Sequence, residues 1–328
     1  METIDIALAS DHGYFCGLLV TAVSLARHAS RKIALRFNVL DGGLSTADWE
    51  SLREKLKNEH PYVEIRRLEI DETRYAAFPA WNYGSRLTYA RLELADLITD
   101  AEFAIYCDVD FLWQADVAEL WALRDQSFVL QGVRDGWPST GERERTWREK
   151  MGLPFDFERY VCAGLLLVNL RRYRHEGVTT NVGEFLSRKE DVPFVDQTAL
   201  NAVVRNIGLL PEKWHRFSRD LKPNELSGEC VIHFAGDLPW RCDWRAKPLG
   251  AAGLAWHRFY GELTGVGTWG SLRRCFSVRA IVLRRILDRL LRWRLTRGLF
   301  FFLLVVAGHG GCLSLYREAR LRKEVNCG

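Results

Sequence analysis

Residues 103–112, FAIYCDVDFL, constrain the fold more than any other stretch of the chain. An apolar, β-prone run carries Asp108 and Asp110 to its end, and apolar residues resume directly after them. A buried carboxylate costs several kcal/mol unless it is paired or holds a cation. The pair is therefore either an acidic surface turn or a cation site, with two hard oxygen ligands one residue apart suited to Mg²⁺ or Mn²⁺. The segments around it decide between the two.

Ahead of that run, residues 4–9 read as a strand ending in Ser10, Asp11, His12 and Gly13, and residues 14–28 read as a helix. Residues 35–40 predict a second strand, 45–58 a helix opened by a Ser cap, and 63–70 a half-buried strand with alternating polarity. Strands separated by helices predict an α/β fold with a mainly parallel sheet, in which ligands sit beyond the carboxyl ends of the strands. Asp11 and the Asp108/Asp110 pair both fall at such ends. There is no G-x-G-x-x-G and no G-x-x-x-x-G-K-[ST], so a phosphorylated ligand here would need a metal in place of a glycine-rich cradle.

Further along, residues 85–98 predict a helix whose Arg91 points back to the strand ends. Residues 127–133 and 163–169 predict strands, joined by a polar, charged connection over 134–150 of a length often tied to function. Asp196 and Gln197 open another helical segment, and residues 231–234 bring His233 to the end of a short strand.

The net charge of +4 hides an asymmetry. Residues 271–328 hold 13 Lys+Arg against 3 Asp+Glu, whereas residues 1–270 are net acidic. The eight cysteines include no C-x-x-C pair, which fits reduced thiols rather than a zinc or disulfide framework. No nucleic-acid-binding motif accompanies the basic tail, so a nucleic-acid partner is not expected. The N-terminus lacks a basic segment followed by an apolar one, and the part ahead of the basic tail is expected in the cytoplasm.

Six ordered segments carry a resemblance: IALASDHGY, LTYARL, YCDVD, AGLLLVNL, the DQ of VDQTALN, and HFAG followed by PW. Together they resemble the family-8 retaining glycosyltransferases, closest to the bacterial lipopolysaccharide α-1,4-galactosyltransferase type, over residues 4–245. The resemblance implies a Rossmann-like, GT-A type catalytic domain over 1–265. It also implies a UDP-sugar donor held through Mn²⁺, or Mg²⁺, by Asp108, Asp110 and His233. Ala9, Asp11 and Tyr14 match the uracil site, with Val109 near the ribose and Gly236 in the loop by the phosphates. Arg91, Ala163, Gly164, Asp196 and Gln197 match positions around the donor sugar, Gln197 near the anomeric carbon. Asp135 and Cys162 fall on the acceptor side.

Three positions depart from the family pattern. The Lys that usually follows the His-x-x-Gly segment is missing, and Arg241 or Lys247 is the expected replacement. Cys162 stands where the family usually has Asn, and Gly13 where it has Asn near the ribose. These departures keep open an alternative, a catalytically weak member that binds UDP-sugar or saccharide. A self-glucosylating initiator fits the tail less well.

That tail, residues 266–328, contains nine Arg and one acid over 271–297, with apolar residues at helical spacing, followed by LFFFLLVVA at 299–307. The pattern is a basic amphipathic helix and a segment too short to span a bilayer. It predicts peripheral attachment through residues 271–307 to the anionic inner face of the cytoplasmic membrane. A lipid-linked saccharide is then the expected acceptor.

Overall fold

A computed structural model of the chain describes residues 1–79, 86–188, 191–226, 228–236, 238–241 and 250–275. Lys247 and most of the basic tail lie outside the described residues. Along the chain, strand β1 (Thr3–Ser10) leads into α1 (Phe15–His28), then β2 (Ala34–Asp41), α2 (Thr46–Glu59) and β3 (Val63–Glu69). Ser45 caps α2 in a reciprocal box with Asp48, as the Ser signal implies. A 3₁₀ helix (Leu87–Glu93) runs into the short α3 (Leu94–Leu97), followed by β4 (Phe103–Cys107), β5 (Phe111–Trp113) and α4 (Val117–Trp121). Then come β6 (Leu130–Arg134), α5 (Pro138–Met151), β7 (Val161–Asn169), α6 (Leu170–His175), α7 (Val178–Arg188) and α8 (Val195–Val203). The described part closes with β8 (Ile207–Leu210), β9 (Arg216–Phe217), β10 (Val231–His233), α9 (Ala251–Leu263) and α10 (Gly267–Cys275).

Seven strands form one mixed sheet in the order β3-β2-β1-β4-β7-β6-β8. Pairing is parallel except where β7 runs antiparallel to both β4 and β6. Every residue of β4 and β7 is buried, as expected of central strands covered on both faces by helices. A small second sheet, β5-β10-β9, stands at the carboxyl end of β4. Two buried hydroxyls of α1 fasten it. Thr21 Oγ1 donates to the Phe111 carbonyl (2.8 Å), and Ser24 Oγ accepts from Trp113 N (3.0 Å). Gly17 makes this approach possible, because a Cβ there would lie 2.5 Å from the Val109 carbonyl oxygen.

Two expectations from the sequence are corrected. The segment expected as an α-helix over 85–98 is largely 3₁₀ within its described part. With three residues per turn, Thr88 and Arg91 eclipse and point the same way, and Leu87, Tyr89, Ala90 and Leu92 are buried around them. The polar connection expected over 134–150 is mostly helix α5, which starts with Pro138 in its first turn and ends on Gly152 in the left-handed conformation (φ 64°). Its polarity misleads because a buried ion pair, Arg148 Nε to Glu144 Oε1 at 2.6 Å, takes the place of apolar core residues.

Candidate active site

Both carboxylates of the acidic pair sit just past β4, in the turn leading to β5. Backbone bonds from two directions fix this turn. Asp108 N donates to the Gly164 carbonyl of β7 (2.8 Å), and Phe234 N donates to the Asp110 carbonyl (2.9 Å). A cavity opens there, walled by Ala9, Asp11 and Tyr14 from the end of β1, Thr88 and Arg91 from the 3₁₀ helix, and Asp108, Val109 and Asp110.

Arg91 is the hub. Its guanidinium binds Asp108 Oδ1 (2.7 Å) and Asp196 Oδ2 (3.0 Å), donates to the Ala163 carbonyl (2.7 Å), and lies over the Tyr106 ring at 4.6 Å. Burial alone would weaken its protonation, but Asp108 and Asp196 outweigh that and raise its pKa. Burial also holds both carboxylates above their usual range, to about 6 for Asp108, even though Arg91 pulls the other way.

Tyr106 donates a second short bond to Asp108 Oδ1 (2.7 Å). Oδ1 is thus engaged twice, while Oδ2 accepts only a longer bond from Arg91 (3.4 Å) and faces Gly164, where a Cβ would stand 3.2 Å from it and 3.0 Å from His233 Cε1. The glycine leaves room for these side chains to converge.

One ligand atom from each of Asp108, Asp110 and His233 lies within 4.8 Å of the others. Asp110 Oδ1 is buried and has no hydrogen-bond partner among the described residues. It faces His233 Nε2 at 3.1 Å without hydrogen-bond geometry. That spacing is close to the ~3 Å separating neighbouring ligands of an octahedral ion with bonds near 2.1 Å. An unpartnered carboxylate oxygen, a second carboxylate and an imidazole therefore fit a hard divalent cation such as Mn²⁺ or Mg²⁺.

The His233 ring is held from both sides. It stacks on Phe111 (centroids 4.1 Å, 7° between planes), and its Nδ1 lies 2.6 Å from His215 Nε2. His215 is buried, and burial followed by the neighbouring His233 lowers its pKa well below the usual value.

Gln197 opens α8 beside Asp196 and is clamped at both ends of its amide. Oε1 accepts from Ala163 N (3.0 Å), while Nε2 donates to Asp135 Oδ2 (3.0 Å) and Tyr160 OH (3.4 Å). Asp135 also accepts from Trp137 N, and burial raises its pKa. Beneath them, Thr198 and Tyr160 both donate to Glu144, the partner of Arg148.

Asp11 caps the turn after β1 by accepting from Tyr14 N (3.0 Å). The Arg241 guanidinium lies over the Tyr14 ring at 4.3 Å. Gly236 adopts a left-handed φ of 75° after β10 and does not line the cavity described above. Cys162 is buried beside His215 and His233.

Sequence reasoning missed His215, Tyr106, Thr88 and Tyr160. Tyr106 had a signal, because in a strand it shares a face with Asp108, two residues on. His215 had none.

The sheet, with an acidic pair and a histidine gathered past the carboxyl ends of its strands, has the architecture of the GT-A glycosyltransferases. An active-site mutant of LgtC covers 82% of this chain and all of its own (TM-score 0.65, 25% identity). The galactosyltransferase LgtC in complex with donor and acceptor sugar analogs covers 81% and 96% (TM-score 0.64, 26% identity). The family model for glycosyl transferase family 8 matches residues 5–243, and the chain belongs to that family. General stress protein A of Bacillus subtilis is 28% identical over 260 residues, 73% of this chain and 88% of that protein. A Haemophilus influenzae protein carrying a glycosyltransferase name is 28% identical over 206 residues, 62% of this chain. The chain spans 60% of the length of that relative.

Proposed function

We propose that this glycosyltransferase moves a hexose, galactose or glucose, from a UDP-sugar to a lipid-linked saccharide such as a lipopolysaccharide core, with retention at the anomeric carbon. The observation that carries the proposal is the convergence of Asp108, Asp110 and His233 at the edge of a cavity whose far wall is Asp11 and Tyr14. Tyr14 offers a ring to a base, Asp11 an acceptor to its N–H, and Val109 a wall beside the ribose. A divalent cation, Mn²⁺ by preference, bound by the two carboxylates and the imidazole would offset charge on the departing diphosphate. The Arg241 guanidinium over Tyr14 supports a phosphate contact in place of the missing Lys.

Arg91 and Asp196 set the floor of the sugar subsite. With its carbonyl oxygen accepting from Ala163 N and its N–H groups directed to Asp135 and Tyr160, Gln197 is poorly placed to attack, and only the second lone pair of that oxygen is left to stabilise a cationic sugar. This supports front-face substitution, in which the acceptor hydroxyl attacks as its proton passes to a leaving phosphate oxygen. An acceptor on a membrane agrees with the basic, aromatic sequence at 271–307 and with Trp269 of α10, which is 79% exposed. No described helix is long and apolar enough to cross a bilayer. The nine apolar residues at 299–307 are too short a run to span one, which favours peripheral attachment at the inner face of the cytoplasmic membrane.

Calorimetric titration with UDP, with and without Mn²⁺, tests the site. Metal-dependent binding that falls more than about 100-fold in Asp110→Asn is expected, since even an outer-shell partner is worth ~10–100-fold. Metal-independent binding would overturn the proposal. A hydrolysis screen over UDP-galactose, UDP-glucose and their N-acetyl forms names the donor.

A further inference from the structure

Behind the carboxylate cluster lies a second group of ligating side chains. One ligand atom from each of Cys162, His215 and His233 lies within 4.8 Å of the others, and all three residues are at least nine-tenths buried. His233 belongs to both groups and turns a different nitrogen to Asp110 than to His215. Its Nε2 faces Asp110 Oδ1 (3.1 Å), and its Nδ1 faces His215 Nε2 (2.6 Å).

We propose that Cys162, His215 and His233 Nδ1 form a soft-metal site for Zn²⁺ or a similar thiophilic cation, and that its occupation disables the hard site by withdrawing His233. A thiolate with two imidazoles is a ligand set that Zn²⁺ accepts, with a fourth position open to water. Carboxylate oxygens prefer Mn²⁺ or Mg²⁺ and are not part of it. Zn–N bonds of 2.0–2.1 Å in a tetrahedron separate two nitrogens by roughly 3.3 Å, so the two rings, now at 2.6 Å, would turn slightly apart.

The antagonism follows from the ring itself. A neutral imidazole carries one N–H and one lone pair. Serving the carboxylate cluster through Nε2 requires the proton on Nδ1, where it donates to His215. Serving the soft site through Nδ1 requires the proton on Nε2, where it points at Asp110 and cannot ligate. One tautomer fits each site. On soft-metal binding the Cys162 thiol proton passes to solvent, leaving the thiolate as ligand.

The antagonism rests on the hard-metal reading of Asp108, Asp110 and His233, whereas the thiolate site stands independently of it. Co²⁺ titrated into the full-length wild-type protein tests the latter by absorption. A thiolate-to-cobalt charge-transfer band with tetrahedral visible bands is expected. The band should vanish in Cys162→Ser, and Co²⁺ affinity should fall at least about tenfold in His215→Gln. Urea unfolding of both variants confirms that they are folded. A spectrum without the thiolate band, or a band that persists in Cys162→Ser, overturns the site.

The antagonism is read from the paramagnetic signal of free Mn²⁺ in the presence of UDP. Zn²⁺ should release bound Mn²⁺ in the wild type and need at least about tenfold more to do so in Cys162→Ser. Equal release in both proteins would mean that Zn²⁺ simply replaces Mn²⁺ among the carboxylates, and would overturn the antagonism. Absence of Mn²⁺ binding in the wild type would instead defeat the hard-site reading, while the cobalt band still decides the thiolate site.

Discussion

Gln197 donates its side-chain N–H to Asp135 Oδ2 at 3.0 Å across 62 residues of sequence. Asp135 stands at the end of β6 and Gln197 in the first turn of α8, so the bond ties the sheet to the helix that frames the proposed sugar subsite. A carboxylate placed by resemblance on the acceptor side thus also sets the orientation of the amide.

Loss of that bond should act on turnover rather than on donor binding. Asp135→Ala frees the amide while leaving the carboxylate–histidine cluster intact. Misplacing a reacting group by about 1 Å can cost roughly 100-fold. A fall in kcat of that order is expected, with the KM for UDP-sugar changed little, and steady-state kinetics on the donor identified by the screen would read it. A rise in KM at constant kcat would show that Asp135 serves binding instead.

Arg91 neutralises two buried carboxylates, Asp108 and Asp196. Removing one partner of a buried ion pair costs about 3–5 kcal/mol, because the remaining charge is left without compensation. Urea unfolding of Arg91→Met should show a loss in that range. Replacing Asp196 by Asn in the same background should recover part of it, since one stranded charge is gone. An unchanged midpoint in Arg91→Met would contradict the role of the arginine as a structural hub.

His257 of α9 is fully buried, with its Nδ1 2.7 Å from Ser271 Oγ of α10. Burial lowers its pKa from 6.5 to about 4. Because the folded form resists protonation, the unfolded chain gains protons first as pH falls. Stability should therefore be intact above pH 6.5 and decline from there to about 4, by roughly 3 kcal/mol at most. Unfolding measured at pH 7 and pH 4.5 should show a smaller difference in His257→Gln than in the wild type. An identical pH slope in the two proteins would assign the loss to other groups.

Vesicle binding by the full chain should depend on charge. Each basic residue near an anionic surface is worth about 1 kcal/mol, so Arg284→Glu, Arg285→Glu and Arg289→Glu together should release the protein from vesicles containing anionic lipid. Co-sedimentation that persists in this triple variant at physiological salt would rule out attachment through 271–307.

Much of the candidate site could be picked out of the sequence because its chemistry is costly to place by chance. Asp108 and Asp110 break an apolar run, and a chain keeps charges there only when something compensates them. Asp11 marks a strand end, and Ser45 announces a helix by its capping geometry. The strand-helix alternation fixed the mainly parallel sheet, since neighbouring β1, β2 and β3 obey local rules.

What the tertiary structure alone decided are the pairings between side chains remote in sequence. No local pattern pairs Arg91 with Asp108 and Asp196, Gln197 with Asp135, or His215 with His233, because each contact depends on how β7, β10 and α8 cross. The same holds for α5, whose charged sequence gave no sign that Glu144 and Arg148 neutralise each other in the interior. The sequence by itself determined the sheet and its acidic pair, because alternation and the cost of a buried charge act over a few residues. Only the folded chain decided which partners meet those charges, because compensation acts through space, where sequence distance carries no information.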